Sequence, residues 1–84
     1  MEEFCIITFD DTHHAIASEK ALADAGFHIR IIPVPKEVTA NCGLSIRFAP
    51  EDYEKIKPLV SHFPSIAFYR VRKKGLKKEI APIA

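Results

Sequence analysis

Two helix-like stretches interrupt four strand-like ones, and their order constrains this chain more than any other feature. Phe4-Cys5-Ile6-Ile7-Thr8-Phe9 is apolar on both parities, as a central strand is. Asp10, Asp11 and Thr12 stop it and supply a side-chain cap for a helix running to about Ala25. Ala15, Ile16, Ala21, Leu22 and Ala25 form that helix's expected inner stripe, and Gly26 suits a left-handed C-cap. Residues 27–32 alternate as a strand ended by Pro33 and Pro35, and Leu44-Ser45-Ile46-Arg47-Phe48 alternates again. Pro50 fits the first position of a second helix, whose stripe is Tyr53, Ile56, Leu59, Val60 and Phe63. Pro58 should kink that helix or end it early. Residues 66–71 read as a fourth strand.

Strand, helix, strand, strand, helix, strand is the ferredoxin-like split βαβ plan of an α+β domain. It predicts a four-stranded antiparallel sheet of order 4-1-3-2 with two helices on one face. We assign residues 1–72 to this single domain and residues 73–84 to a basic, partly mobile C-terminal tail. Placing strands one and three side by side in the same direction puts Cys5 and Cys42 at one end of the sheet. His13 and His14 then fall about 20 Å from Cys42, past the far end of strand one.

The chain has 84 residues, 27% of them charged, and a net charge of +1, which gives no global attraction to nucleic acid or anionic membrane. No apolar run approaches the roughly 20 residues that cross a bilayer. Met1-Glu2-Glu3 is not the start of a signal peptide, so a cytoplasmic protein is expected. Half of the basic residues crowd between Arg70 and Lys78.

Two cysteines are too few for a disulfide scaffold. Cys42 lies in Asn41-Cys42-Gly43, where Asn and Gly favour a turn and Gly lets backbone amides approach a sulfur. Amides and cations can hold such a thiol as the thiolate, and Arg30, Lys36, Arg47, Arg70 and Arg72 are the cations in expected reach. Alternatively, Arg30, Lys36, Arg47, Arg70 and the basic tail dock acidic partners. The plainer reading is a small half-buried residue at a strand start, and both stay open. Cys5 reads as structural, or as a second thiol that resolves an oxidised Cys42. The four histidines are dispersed and no CxxC or HxxxH pair occurs, so neither a metal site nor a cofactor is expected.

The sheet face without helices should carry His28, Arg30, Ser45 and Arg47 beside apolar residues of strand one. Either the tail folds back over it, or it serves a second copy of the chain or an anionic ligand. Strand three has Leu44 and Ile46 where an RNA-binding sheet needs stacking rings, which disfavours nucleic acid.

Ile32-Pro33-Val34-Pro35-Lys36-Glu37-Val38, followed by Asn41-Cys42-Gly43-Leu44-Ser45-Ile46-Arg47-Phe48, resembles a family of small bacterial domains described as selenium/sulfur carrier protein-like. Thr12-His13-His14-Ala15, Glu19-Lys20-Ala21-Leu22 and Ala25-Gly26 also fit its pattern, so that the likeness covers about residues 4–63. The resemblance implies that Cys42 is the carrier thiol. It would hold sulfur or selenium as a persulfide or selenosulfide, loaded by a cysteine desulfurase or similar donor and unloaded by an acceptor enzyme. Such a protein is a carrier rather than an enzyme in its own right. Two readings compete with it: a binding or regulatory module that dimerises through the open sheet face, and a thiol redox sensor using Cys5 and Cys42.

Overall fold

The Asp11 carboxylate accepts the His14 backbone N–H at 2.9 Å, so the expected cap does open the first helix. The structure, a computed structural model, describes residues 2–38 and 42–83. Its elements are β1 (Glu2–Thr8), α1 (Thr12–Asp24), β2 (Arg30–Pro33), β3 (Leu44–Phe48), α2 (Tyr53–Val60), β4 (Ala67–Lys74) and β5 (Lys77–Ile83). A 3₁₀ turn, Pro50–Asp52, leads into α2. Gly26 ends α1 at φ +91°, its N–H bonded to the Ala23 carbonyl. Pro58 lies within α2, which stops at Val60 after eight residues.

All pairings are antiparallel, and the sheet has five strands in the order β2-β3-β1-β4-β5, not four in the order 4-1-3-2. Read from the other edge the order is 5-4-1-3-2, so the difference is one strand added beyond β4. That strand comes from residues 77–83 of the expected tail, which pair with β4 from Lys74↔Lys77 to Phe68↔Ile83. Pro82 is accepted because β5 is an edge strand, where a missing N–H costs no ladder bond on the open side.

Strands β1 and β3 also run in opposite directions, contrary to the parallel placement expected from sequence. Each helical crossover joins two strands of the same direction and leaves room for one between them. That intervening strand is therefore antiparallel to both. Thr8, at the end of β1, sits opposite Ser45, at the start of β3.

The face under the helices holds Cys5, Ile7, Phe9, Ile46, Phe48 and Phe68 against Ala15, Leu22, Ile56 and Val60. The α1 stripe is rotated from expectation: Ala15, Ser18 and Leu22 are buried while Ile16, Ala21 and Ala25 are exposed. The second face carries its own small cluster, Phe4, Ile6 and Val71, with Ile32, Tyr69 and Ile80 packed around it. This face is not bare. The Arg47 guanidinium lies 4.0 Å above the Phe4 ring, and the Lys73 ammonium 5.6 Å from it.

A chain segment crosses the same face. Glu37 follows β2 at one edge, yet its carboxylate is 3.5 Å from the ammonium of Lys78 on β5 at the other. Five strands put those edges about 19 Å apart, so residues 34–38 must reach over the sheet to close the pair. Val38, at the end of that reach, is buried. The Glu37–Lys78 pair thus ties the connection after β2 to the far edge of the sheet, and Ile80 of β5 packs against the second-face cluster.

Candidate functional site

The antiparallel register decides what surrounds Cys42. Because Ser45 lies beside Thr8, residues just before β3 meet residues just after β1. Cys42 therefore sits against the N-terminal end of α1. Its Sγ is 3.7 Å from the Thr12 hydroxyl and accepts the Leu44 backbone N–H at 3.4 Å. The expected 20 Å separation from the start of α1 is reversed: Thr12, His13 and His14 share this end with the thiol.

Three features adjoin the sulfur: an amide N–H, a hydroxyl, and the first turn of a 13-residue helix. The sulfur is not open to solvent, since Cys42 is only 3% exposed. Reaction at it requires the segment around it to open. Gly43, next in the chain, is exposed, and a Cβ there would meet nothing within 4 Å. Glycine is not required there sterically, and the amide that reaches the sulfur belongs to Leu44. Asn41 lies outside the described residues.

At the same end of the sheet, the His14 ring donates through Nδ1–H to the Asp10 carboxylate at 2.6 Å, its centroid 5.4 Å from that of the Phe63 ring. The Asp10 carboxylate raises the imidazole pKa above its ordinary value, and the same bond lowers that of Asp10. Asp10, Asp11 and His14 offer ligand atoms all within 4.8 Å of one another. The capping bond and the ion pair already account for that arrangement. From sequence, Asp10, Asp11 and Thr12 read as a cap and His13 and His14 fall about 20 Å away, so none of them is expected beside Cys42. The signal was present in Asp10-Asp11-Thr12-His13-His14, whose place beside β3 emerges once β1 and β3 are set antiparallel.

The structure separates the other expected site residues from Cys42. Cys5 pairs with Phe48 on one side and Arg70 on the other. Phe48 is the far end of β3 from Leu44, about 13 Å along the strand, whereas a disulfide needs Cα atoms about 4.4–6.8 Å apart. The register therefore sets Cys5 beside the far end of β3 from Cys42. Cys5 is fully buried, and burial pushes its thiol pKa up, with the Arg70 side chain beside it pulling the other way.

Arg70 and its neighbours also stand away from Cys42. Arg30 is opposite Arg47 at the Phe48 end, Arg47 is bonded to Glu2 at 2.9 Å, and Arg72 to Glu3 at 2.6 Å. None of these arginines is placed to stabilise a charge on Cys42, which corrects that expectation. Lys36 is exposed in the turn closed by the Val38 N–H and the Pro35 carbonyl. Arg30 and Arg47 line a cleft of about 590 Å³, but Glu2, Glu3 and Glu51 line it too. With three carboxylates among its walls, this cleft is no anion site.

Among the described residues no helix is long and apolar enough to cross a membrane. A protein-family model described as "Putative Se/S carrier protein-like" matches residues 4–70. The match spans β1 through Arg70 and includes both Thr12 and Cys42; β5 is outside it. No curated protein and no solved structure gives a match.

Proposed function

From the premise that the chain belongs to the Se/S carrier protein-like family, we propose that Cys42 is the atom-carrying group, holding sulfur or selenium between a donor and an acceptor protein in the bacterial cytoplasm. One observation carries the reading. The Cys42 sulfur is met by the Leu44 N–H at 3.4 Å and the Thr12 hydroxyl at 3.7 Å, on the first turn of α1.

The step balances without an oxidant. The Cys42 thiolate attacks the terminal sulfur of a donor persulfide, such as that on a cysteine desulfurase. The donor's S–S bond breaks, a new S–S bond forms on Cys42, and the donor leaves as a thiolate. Delivery is the reverse: an acceptor nucleophile takes the terminal sulfur and Cys42 is left as a thiolate. A selenium-loaded donor gives a selenosulfide by the same displacement. Leu44 and Thr12 serve as donors to sulfur in both directions, because each step begins or ends with charge there. The protein is a carrier, and turnover belongs to its partners.

The competing readings lose their supports. A sensor closing Cys5 to Cys42 needs two sulfurs that the register holds apart. A module binding through a bare sheet face must displace the segment tied by Glu37 to Lys78. The test is intact mass after incubation with a cysteine desulfurase and cysteine. Wild type gains the mass of one sulfur atom, reversibly with a thiol reductant, and Cys42→Ala gains none. Equal gain in both proteins would refute the assignment.

A further inference from the structure

The β4–β5 hairpin ends in Lys73-Lys74-Gly75-Leu76-Lys77-Lys78, beyond the segment matched to the family. Gly75 and Leu76 form its two-residue loop, with Gly75 at φ +60°, as the first central position of a type II′ turn requires. The register sets Lys74 opposite Lys77 and Lys73 opposite Lys78. Like charges directly opposite oppose strand pairing, so the tip is not arranged for the hairpin's own stability.

Lys73 is shared with Glu2 at 4.0 Å and Lys78 with Glu37 at 3.5 Å. Lys74 and Lys77 have no acidic partner among the described residues. Between them projects Leu76, 106% exposed, more than any other large apolar side chain among the described residues. Lysines on an edge strand discourage edge-to-edge aggregation, which accounts for those of β5. It does not account for Lys73 on β4, which is paired on both sides, nor for an apolar side chain held out at the turn.

We propose that this tip is a docking element for an acidic protein surface with an apolar recess. Leu76 enters the recess and the four ammonium groups meet carboxylates around its rim. A central apolar anchor with charges at the margin is how small interfaces divide affinity from orientation. The tip has no ring to stack on bases, and its only apolar side chain is too little for a lipid surface, since even a single acyl chain binds membranes only marginally. A protein partner is the occupant that uses both the leucine and the lysines. The proposal is independent of what Cys42 carries.

The test measures affinity of the full chain for labelled poly-glutamate and for a glutamate–tyrosine copolymer, alongside duplex DNA and phosphatidylserine-containing vesicles. The copolymer, with rings among its carboxylates, should bind more tightly than poly-glutamate. Leu76→Ser should erase that preference while retaining poly-glutamate binding. Lys74→Glu with Lys77→Glu should weaken both polymers by about tenfold or more. Lys74→Ala with Lys77→Ala gives a second reading of charge, and thermal unfolding of every variant monitors the fold. Wild-type affinity for both polymers in the Leu76 variant, or tighter binding to DNA or vesicles than to the copolymer, would overturn the proposal.

Discussion

Cys42 and Cys5 are buried in one hydrophobic core, on one face of one sheet, yet they are held in opposite ways. Cys5 sits in the middle of β1 with a paired strand on either side, so its exposure requires two ladders to separate. Cys42 stands before β3, beyond the last paired residue, Leu44, in the connection after β2. Its sulfur meets an amide and a hydroxyl, whereas that of Cys5 lies in a core whose burial favours the neutral thiol. Static exposure does not separate the two cysteines; the structure that must open to uncover each one does.

The largest effect that can sharpen this contrast is at Cys5. Replacing it with Ala removes a fully buried sulfur and should cost about 1 kcal/mol or more of stability, seen in denaturant unfolding. Labelling of Cys42 in the folded variant should not change. Next is Thr12→Val, which preserves shape but deletes the hydroxyl beside the Cys42 sulfur. Losing a hydrogen bond of about 1 kcal/mol that helps hold the sulfur in its closed site predicts roughly fivefold faster alkylation of Cys42, with Cys5 unaffected. An unchanged rate would remove Thr12 from the site.

A smaller effect is set by pH. His14 has a raised pKa in the folded chain, so its share of stability is complete below its ordinary range, near about 6.5, and is lost as pH rises through the folded value. Asp10 has a lowered one, so its share is present above about 3.9 and is lost as pH falls through the folded value. The melting-temperature gap between wild type and Asp10→Asn should be widest between those limits and narrow on both sides. A flat difference would dissolve the pair. Smallest of all, Glu37→Gln releases the segment from Lys78 and should speed Cys42 labelling about twofold at low salt, fading as salt is added.

Much of the fold was legible because its signals are local. The Asp11 cap, the Gly26 stop and the apolar run of β1 each act within a few residues. The fifth strand was missed because Lys77-Lys78-Glu79 and Pro82 suggest a solvated tail, while its apolar Ile80 pairs with Val71 only after the Gly75 turn reverses the chain. Cys42 could be picked out from Asn41-Cys42-Gly43, but its neighbours could not without the right strand direction. Assigning β1 and β3 a common direction exchanged the two ends of the sheet. Cys5 and the arginines were thereby gathered round a thiol that meets Thr12 instead. The reach of Glu37 across the second face is a long-range ion pair with no local pattern to announce it.

The contrast is most directly tested by timing the reaction of each cysteine in the native protein with an isotope-coded alkylating reagent, resolved by peptide mass. Cys42 should react first, and Cys5 should stay protected until the chain unfolds, where the two rates converge. Equal rates in the native state, or Cys5 reacting ahead of Cys42, would contradict the distinction drawn between them.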